Sequence, residues 1–377
     1  MTKTGLLKEI YLLRSVACLC IVFLHAVALG LESVTTLSVV RIVFDSVNIL
    51  LYFGTPLFIF ISVFILAYSY RNRNIPEAFL QKRITYIFIP FLAMAFFYSI
   101  PHASSLEAWG VKLLMNAVVG DFHGYFVLII FQFYILHLLL HTFLKRTNPY
   151  VVISVSLIIN GLYLSIFHFT TPPDSPYATY IWERFYWVPF FGWLFYYSLG
   201  FYCGYHYKSF RAFLHRIKYV IIVAPIVSSF LLLSFYHFEV ITVHSSKRID
   251  LLFHTTAVGF FLFYIATRVK KIPPLLIIVS QYSFGIYLLH MFYIHLVGTI
   301  LSFVSIQVGI LYIPFLFLFS LISSVITVHY LSKLKYGVYI VGKIGARYQV
   351  DKIGSIKPKE KQKNKIKRAF SIQYKGR

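Results

Sequence analysis

Ten apolar stretches, each near the length a helix needs to cross a bilayer, run through this chain. They lie at roughly residues 9–30, 42–70, 84–101, 122–144, 150–168, 187–206, 218–237, 250–267, 275–301 and 308–331. A hydrocarbon core takes about 20 apolar residues of helix. Lipid offers the backbone no hydrogen-bond partners, so a chain crossing it many times must be helical or form a closed barrel. The length and continuity of these runs predict an all-α, polytopic integral membrane protein with about ten spans. The second and ninth runs are long enough to tilt or break, and Gly54 with Pro56 supplies a break point in the second. Composition agrees: 59% of residues are apolar and 12% charged, where a soluble domain carries about 25% charged residues. An ordinary soluble domain and a disordered chain are excluded.

The formal charge of +23 invites a nucleic-acid reading until the basic residues are placed. With the N-terminus inside, one side of the membrane holds Lys8, Arg71, Arg73, Lys82, Arg83, Lys145, Arg146, the 208–218 and 268–271 clusters, and the tail after 331. Lys3 falls on the same side. The other side holds Arg41, Lys112, Arg184, Lys247 and Arg248. This bias follows the positive-inside rule and predicts N-in, C-in topology with a basic cytoplasmic tail. The expected organisation is a ten-helix membrane domain over 1–331 and a flexible tail over 332–377. A basic tail beside a bilayer meets anionic lipid rather than nucleic acid. Lys3, Lys8, the first apolar run and Ala26-Val27-Ala28 have the form of a secretory signal. Glu9 and Arg14 break that form and favour a retained first span. Cys18, Cys20 and Cys203 lie in apolar runs without metal spacing and read as packing residues.

Ionisable groups inside a membrane are costly and mark function by default. Arg14 and His25 are the sharpest pair. Eleven residues make about three helical turns, leaving the two about 20° out of line and about 16 Å apart on one face of the first helix. Imidazole titrates near neutral pH, so His25 is a candidate general base that would activate a hydroxyl. Asp45 or Asp121 would be its carboxylate partner. His137 and His141 stand one turn apart, but no third ligand accompanies them, and packing is the better reading. His254 and His290 lie inside spans and read first as helix–helix hydrogen-bonding groups. No metal ligand set and no nucleotide motif is present.

Six segments then fall in order along the chain. They are Tyr11-Leu12-Leu13-Arg14 with Phe23-Leu24-His25; Gly54-Thr55-Pro56 through Ser62; Lys82-Arg83 leading to Ile89-Pro90; Gly124-Tyr125-Phe126 with Gln132-Phe133-Tyr134; Phe191-Gly192-Trp193 through Gly200; and Ser283-Phe284-Gly285 through His290. Together they resemble the membrane acyltransferase 3 family, and more narrowly its intercellular-adhesin C type. The resemblance spans the membrane body and leaves out the tail. It implies transfer of an acyl group, usually acetyl, from cytoplasmic acyl-CoA, a co-substrate rather than a bound cofactor, to a hydroxyl of a cell-surface or exported polysaccharide. His25 matches the catalytic histidine. Arg14 and Arg83 match arginines of the donor path, with Arg71 and Arg73 as further inner-face cations, and His290 gains a supporting role. The family often carries two arginines three apart at the third helix; here Arg83 is followed by Tyr86. Its Ser-Gly in the second helix reads Ser62-Val63. The expected partners are the donor, the glycan and a glycan synthase, in the cell membrane. The rival reading is an export component for a poly-N-acetylglucosamine-like exopolysaccharide, since the adhesin C type has been regarded as an exporter too.

Overall fold

A computed structural model describes residues 7–33, 37–304 and 309–345; Lys3 and the tail from 346 onward lie outside the described residues. Among those described, all regular structure is helical. Nine helical stretches among the described residues are long and apolar enough to cross a membrane. The first is α1 (Lys8–Ser33). The second is α2 (Ser38–Leu51) and α3 (Gly54–Tyr70), broken at Tyr52 and Phe53, immediately before the expected break point at Gly54. The third is α4 (Phe79–Arg83), a π turn (Ile84–Phe88) and α5 (Ile89–Phe97). The fourth joins α6 (Leu106–Val119) to α7 (Phe126–Arg146) through Gly120, whose left-handed φ of 64° lets the chain turn. Then come α8 (Pro149–Phe169), α9 (Ala178–Trp187), α10 (Leu194–Tyr205), α11 (Tyr207–Arg216), α12 (Lys218–His237), α13 (Leu251–Arg268), α14 (Pro274–Val304), α15 (Tyr312–Leu331) and the short α16 (Val338–Val341).

Three expectations are corrected. The span expected at 187–206 is a 3-10 turn (Phe190–Trp193) followed by the 12-residue α10. Twelve residues make about 18 Å of helix, short of the roughly 30 Å hydrocarbon core. Its residues are buried on every side, from Phe195 to Gly204, so it is a core helix inside the bundle. The stretches left between the third and fourth and between the fifth and sixth expected spans, 102–121 and 169–186, contain α6 and α9. In α6 the Ser105 hydroxyl accepts the Ala108 N–H at 3.0 Å, the usual serine N-cap. Finally, chain expected in the tail is packed on the body. Val341 is buried in a cluster with Met94 and Leu288, and the Gly345 N–H donates to the Gln281 carbonyl at 2.9 Å.

Packing follows small residues and inward-facing polar ones. A Cβ on Gly200 would lie 2.6 Å from the Phe60 carbonyl oxygen, and one on Gly204 2.3 Å from that of Phe64. These two glycines four apart let α10 and α3 touch backbone to backbone, the small-xxx-small device of membrane helices. Asn160 on α8 turns inward and its Oδ1 accepts the Phe195 N–H, an otherwise orphaned donor at the start of α10, at 3.2 Å. His254 does what a span histidine was expected to do. Its Nε2–H donates to the Leu50 carbonyl at the α2 break (3.1 Å), and its Nδ1 accepts the Ser228 hydroxyl at 3.0 Å. Opposite Asn160, α8 exposes Val151, Val155, Ile158, Leu162 and Ile166. An exposed apolar stripe at helical spacing is a lipid-facing surface here. Helix α1 sits among α3, α13, α14 and α15, so its polar residues face the interior.

Candidate functional site

A cavity of about 710 Å³ runs along α1. Arg14, Ile21, Leu24, His25 and Ala28 all line it, about 21 Å of helix at 1.5 Å per residue. At the end where α1 begins, the wall is basic: Arg14, Lys82, Arg83 and Lys343. At the far end it holds Trp187, His244, Ser245 and Ser246. His25 lies between.

The basic end is built by three elements. Arg14 comes from α1. Arg83 closes α4 immediately before the π turn, with its guanidinium carbon 4.8 Å from the Phe79 ring and 5.4 Å from the Tyr134 ring. Tyr134 is in electrostatic reach of both Arg83 and Arg14. Lys343 comes from the chain after α16, where Gly342 has φ 76°. A Cβ there would lie 2.5 Å from the Phe284 ring and 3.1 Å from the Tyr86 carbonyl. That close turn presents Lys343, whose ammonium is 5.4 Å from the Tyr86 ring.

The middle is a cluster of imidazoles. The His25 ring centroid is 5.3 Å from that of His290, and His290 is 5.4 Å from His123. His290 Nδ1–H donates to the carbonyls of Tyr287 (2.8 Å) and Ile286 (3.0 Å). Its Nε2 is buried without a hydrogen-bond partner among the described residues. His123 Nε2–H donates to the Leu288 carbonyl at 3.3 Å, and the Tyr287 hydroxyl donates to the His123 carbonyl. These bonds fix the rings of His290, the middle of the three, and His123. Among the described residues no group of three His, Cys, Asp or Glu is arranged to hold a metal.

The far end is closed by the segment between α12 and α13, which folds back into the body. Lys247 and Arg248, expected on the charge-poor outer surface, are 1% and 0% exposed. Arg248 donates from Nη2 and Nε to both Asp250 oxygens (2.7 and 3.1 Å) and from Nη1 to the Ile241 and Val243 carbonyls (2.7 and 3.2 Å). Lys247 points its ammonium at the rings of Trp193, Tyr186 and Tyr163 (4.9, 5.1 and 6.0 Å). A Cβ on Gly192 would lie 2.8 Å from that nitrogen. Burial pushes the Lys247 ammonium well below its ordinary pKa, and the ring faces act in the opposite sense. The Ser245 hydroxyl accepts the Lys247 N–H at 3.1 Å, and the Tyr186 hydroxyl donates to the Lys247 carbonyl at 3.0 Å. These contacts set Ser245 and Ser246 into the cavity wall.

Of the residues singled out from sequence, His25, Arg14, Arg83 and Tyr86 line the cavity, and His290 packs on His25. Arg71 and Arg73 do not join them. They follow α3, and rings three residues earlier hold them, Arg71 over Tyr68 at 4.2 Å and Arg73 over Tyr70 at 5.6 Å. The groups that bear on His25 electrostatically are His290 and His295. Asp45 bears on Tyr52, Tyr236 and His244, and Asp121 is paired with Lys112 (2.7 Å) and Arg184 (3.4 Å). His137 packs against His141 and Phe201. Not anticipated from sequence were His123, Lys343, Trp187, Ser245 and Ser246. The one available signal was a pair of basic residues, Lys247-Arg248, on the face that otherwise avoids them.

A polytopic helical body thus surrounds a cavity with a basic end and a buried histidine. The chain belongs to the membrane acyltransferase 3 family: a family model described as an acyltransferase domain matches residues 7–329. It is 36% identical over 346 residues to the Bacillus subtilis (strain 168) protein named "Putative membrane-bound acyltransferase YfiQ", covering 90% of this chain and 95% of the relative. It is 29% identical over 292 residues to a Staphylococcus aureus (strain Mu50 / ATCC 700699) protein named "Probable poly-beta-1,6-N-acetyl-D-glucosamine export protein", covering 75% of this chain and 81% of the relative. The Staphylococcus epidermidis protein of that name is 26% identical over 288 residues, covering 75% and 79%. No solved structure matches the chain.

Proposed function

We propose that the protein transfers an acyl group, acetyl in the simplest case, from cytoplasmic acyl-CoA to a hydroxyl of an exported or cell-surface polysaccharide. The observation that carries this reading is the placement of His25 in one continuous cavity, between a cationic end and an uncharged one rich in hydroxyls and rings. The positive-inside bias assigns the basic end to the cytoplasm. There Lys82, Arg83 and Lys343 suit the phosphates of coenzyme A, and Arg guanidinium groups bind such oxygens through paired N–H donors. The pantetheine arm extends past Arg14 toward His25. His25 takes the proton of the acceptor hydroxyl as that oxygen attacks the thioester carbonyl. The C–S bond then breaks, and the proton passes from His25 to the leaving thiolate. The products are an ester and free coenzyme A.

The test is transfer of label from acetyl-CoA to glycan by membranes carrying wild-type protein or His25→Ala. Loss of transfer in the variant supports the role; transfer at the wild-type rate refutes it. A second reading, an export component, draws on the names of the staphylococcal relatives. Glycan analysis separates the two. A knockout that secretes glycan without ester groups is a transferase mutant. One that retains esterified glycan inside the cell is an export mutant.

A further inference from the structure

Two basic residues of the segment that closes the far end of the cavity are turned away from it. Arg248 is satisfied by Asp250 and two carbonyls, and Lys247 lies among three rings on the opposite side of its own segment. Neither lines the cavity. Among the described residues, what lines that end is Trp187, Tyr125, Tyr52, His244, Ser245 and Ser246: rings, hydroxyls and one imidazole, with no charged side chain. Trp187 and Tyr125 meet at 5.1 Å and 71°, forming a corner of two ring faces. The Ser246 hydroxyl faces that of Tyr125. The opposite end carries four cations. The same cavity therefore offers phosphate chemistry at one end and a neutral, hydroxyl-bearing ring at the other.

A pyranose fits the second description. Its C–H faces pack on aromatic rings, and its hydroxyls need partners that donate and accept, as serine, tyrosine and imidazole do. A neutral ligand gains nothing from cations, and a site without them rejects phosphates. We propose that the far half of the cavity is the acceptor subsite, binding one sugar residue of the glycan against Trp187 and Tyr125 with the Ser246 hydroxyl as its partner. The buried Lys247 and Arg248 hold the serine segment in place. This rests on the transferase reading for its role, but the binding can be measured without any chemistry.

The experiment uses the full chain, purified in detergent, and a fluorescently labelled β-1,6-linked N-acetylglucosamine oligosaccharide. Wild type is expected to bind it saturably. Trp187→Ala should weaken binding at least tenfold and Ser246→Ala about threefold or more. Excess free coenzyme A should leave the oligosaccharide bound. If Trp187→Ala does not elute as a folded species, Trp187→Phe and Ser246→Ala carry the comparison. Absence of saturable binding to wild type, unchanged affinity in the variants, or displacement by coenzyme A would each overturn the subsite. Intact binding with no acyl group transferred to the bound sugar would sink the transferase reading and leave the subsite standing.

Discussion

The imidazole of His290, held by two carbonyls through Nδ1–H, lies 5.3 Å from that of His25 and leaves its own Nε2 without a partner among the described residues. A carboxylate would orient His25 by accepting an N–H. A neutral imidazole nitrogen accepts in the same way and needs no counter-charge in a low-dielectric interior. His290 is therefore the proposed partner of His25, for which the sequence offered Asp45 or Asp121. A positioned base contributes about 10²–10⁴ in rate, so His25→Ala should lose that much kcat. His290→Asn should lose about ten- to a hundredfold in kcat and keep the donor KM within twofold. Steady-state kinetics on purified protein reads both. Equal activity of His290→Asn and wild type would remove it from the site.

The donor end gives a separate expectation. Arg83 and Lys343 line the cavity, whereas Arg71 and Arg73 are held on tyrosine rings away from it. Charge-assisted bonds are worth about 1.5–3 kcal/mol each. Arg83→Ala and Lys343→Ala should therefore raise the acyl-CoA KM about tenfold or more, and Arg71→Ala by less than twofold. A larger effect at Arg71 would place the phosphates elsewhere.

Backbone contact between α3 and α10 predicts intolerance at a single atom. The Cβ of Gly204→Ala would meet the Phe64 carbonyl oxygen at 2.3 Å, and a backbone group cannot swing aside as a flexible side chain does. Overpacking of this kind costs about 1–3 kcal/mol. The thermal midpoint in detergent should fall for Gly204→Ala and stay near wild type for Gly161→Ala, whose Cβ meets nothing within 4 Å.

Lys247 predicts a pH signature. Its folded pKa is held down by burial, while the unfolded value is about 10.4. Between those values the unfolded chain binds more protons, so stability rises with pH across the interval. Lys247→Met keeps the volume and removes the proton site. The midpoint should climb more from pH 7 to pH 9.5 in wild type than in Lys247→Met, and at pH 7 the variant should be at least as stable. Parallel curves would show that the amine is not desolvated.

The membrane body was legible because run length and loop charge are local properties. Arg14 and His25 were legible because one helix carries both and its pitch is known. Their partners were not. His290 meets His25 only through packing of α14 on α1, and Lys343 reaches the cavity only because Gly342 turns the chain after α16. Hydropathy also misplaced 187–206. A run apolar on every side describes a buried helix as well as a span, and α10 is the former. The segment holding Ser245 and Ser246 looked like an ordinary outer loop because nothing in its composition shows that Lys247 and Arg248 find rings and carboxylate inside.

The π turn at Ile84–Phe88, where the Ile89 N–H reaches back to the Ile84 carbonyl, carries one residue more than an α-helical ladder needs. Removing a residue there would restore the ladder and swing Lys82 and Arg83 by about 100° relative to α5. The helix would still cross the bilayer, but its cations would face a different neighbour. A single extra residue thus lets one helix obey two masters, with α5 aimed by its packing while α4 is aimed at the cavity.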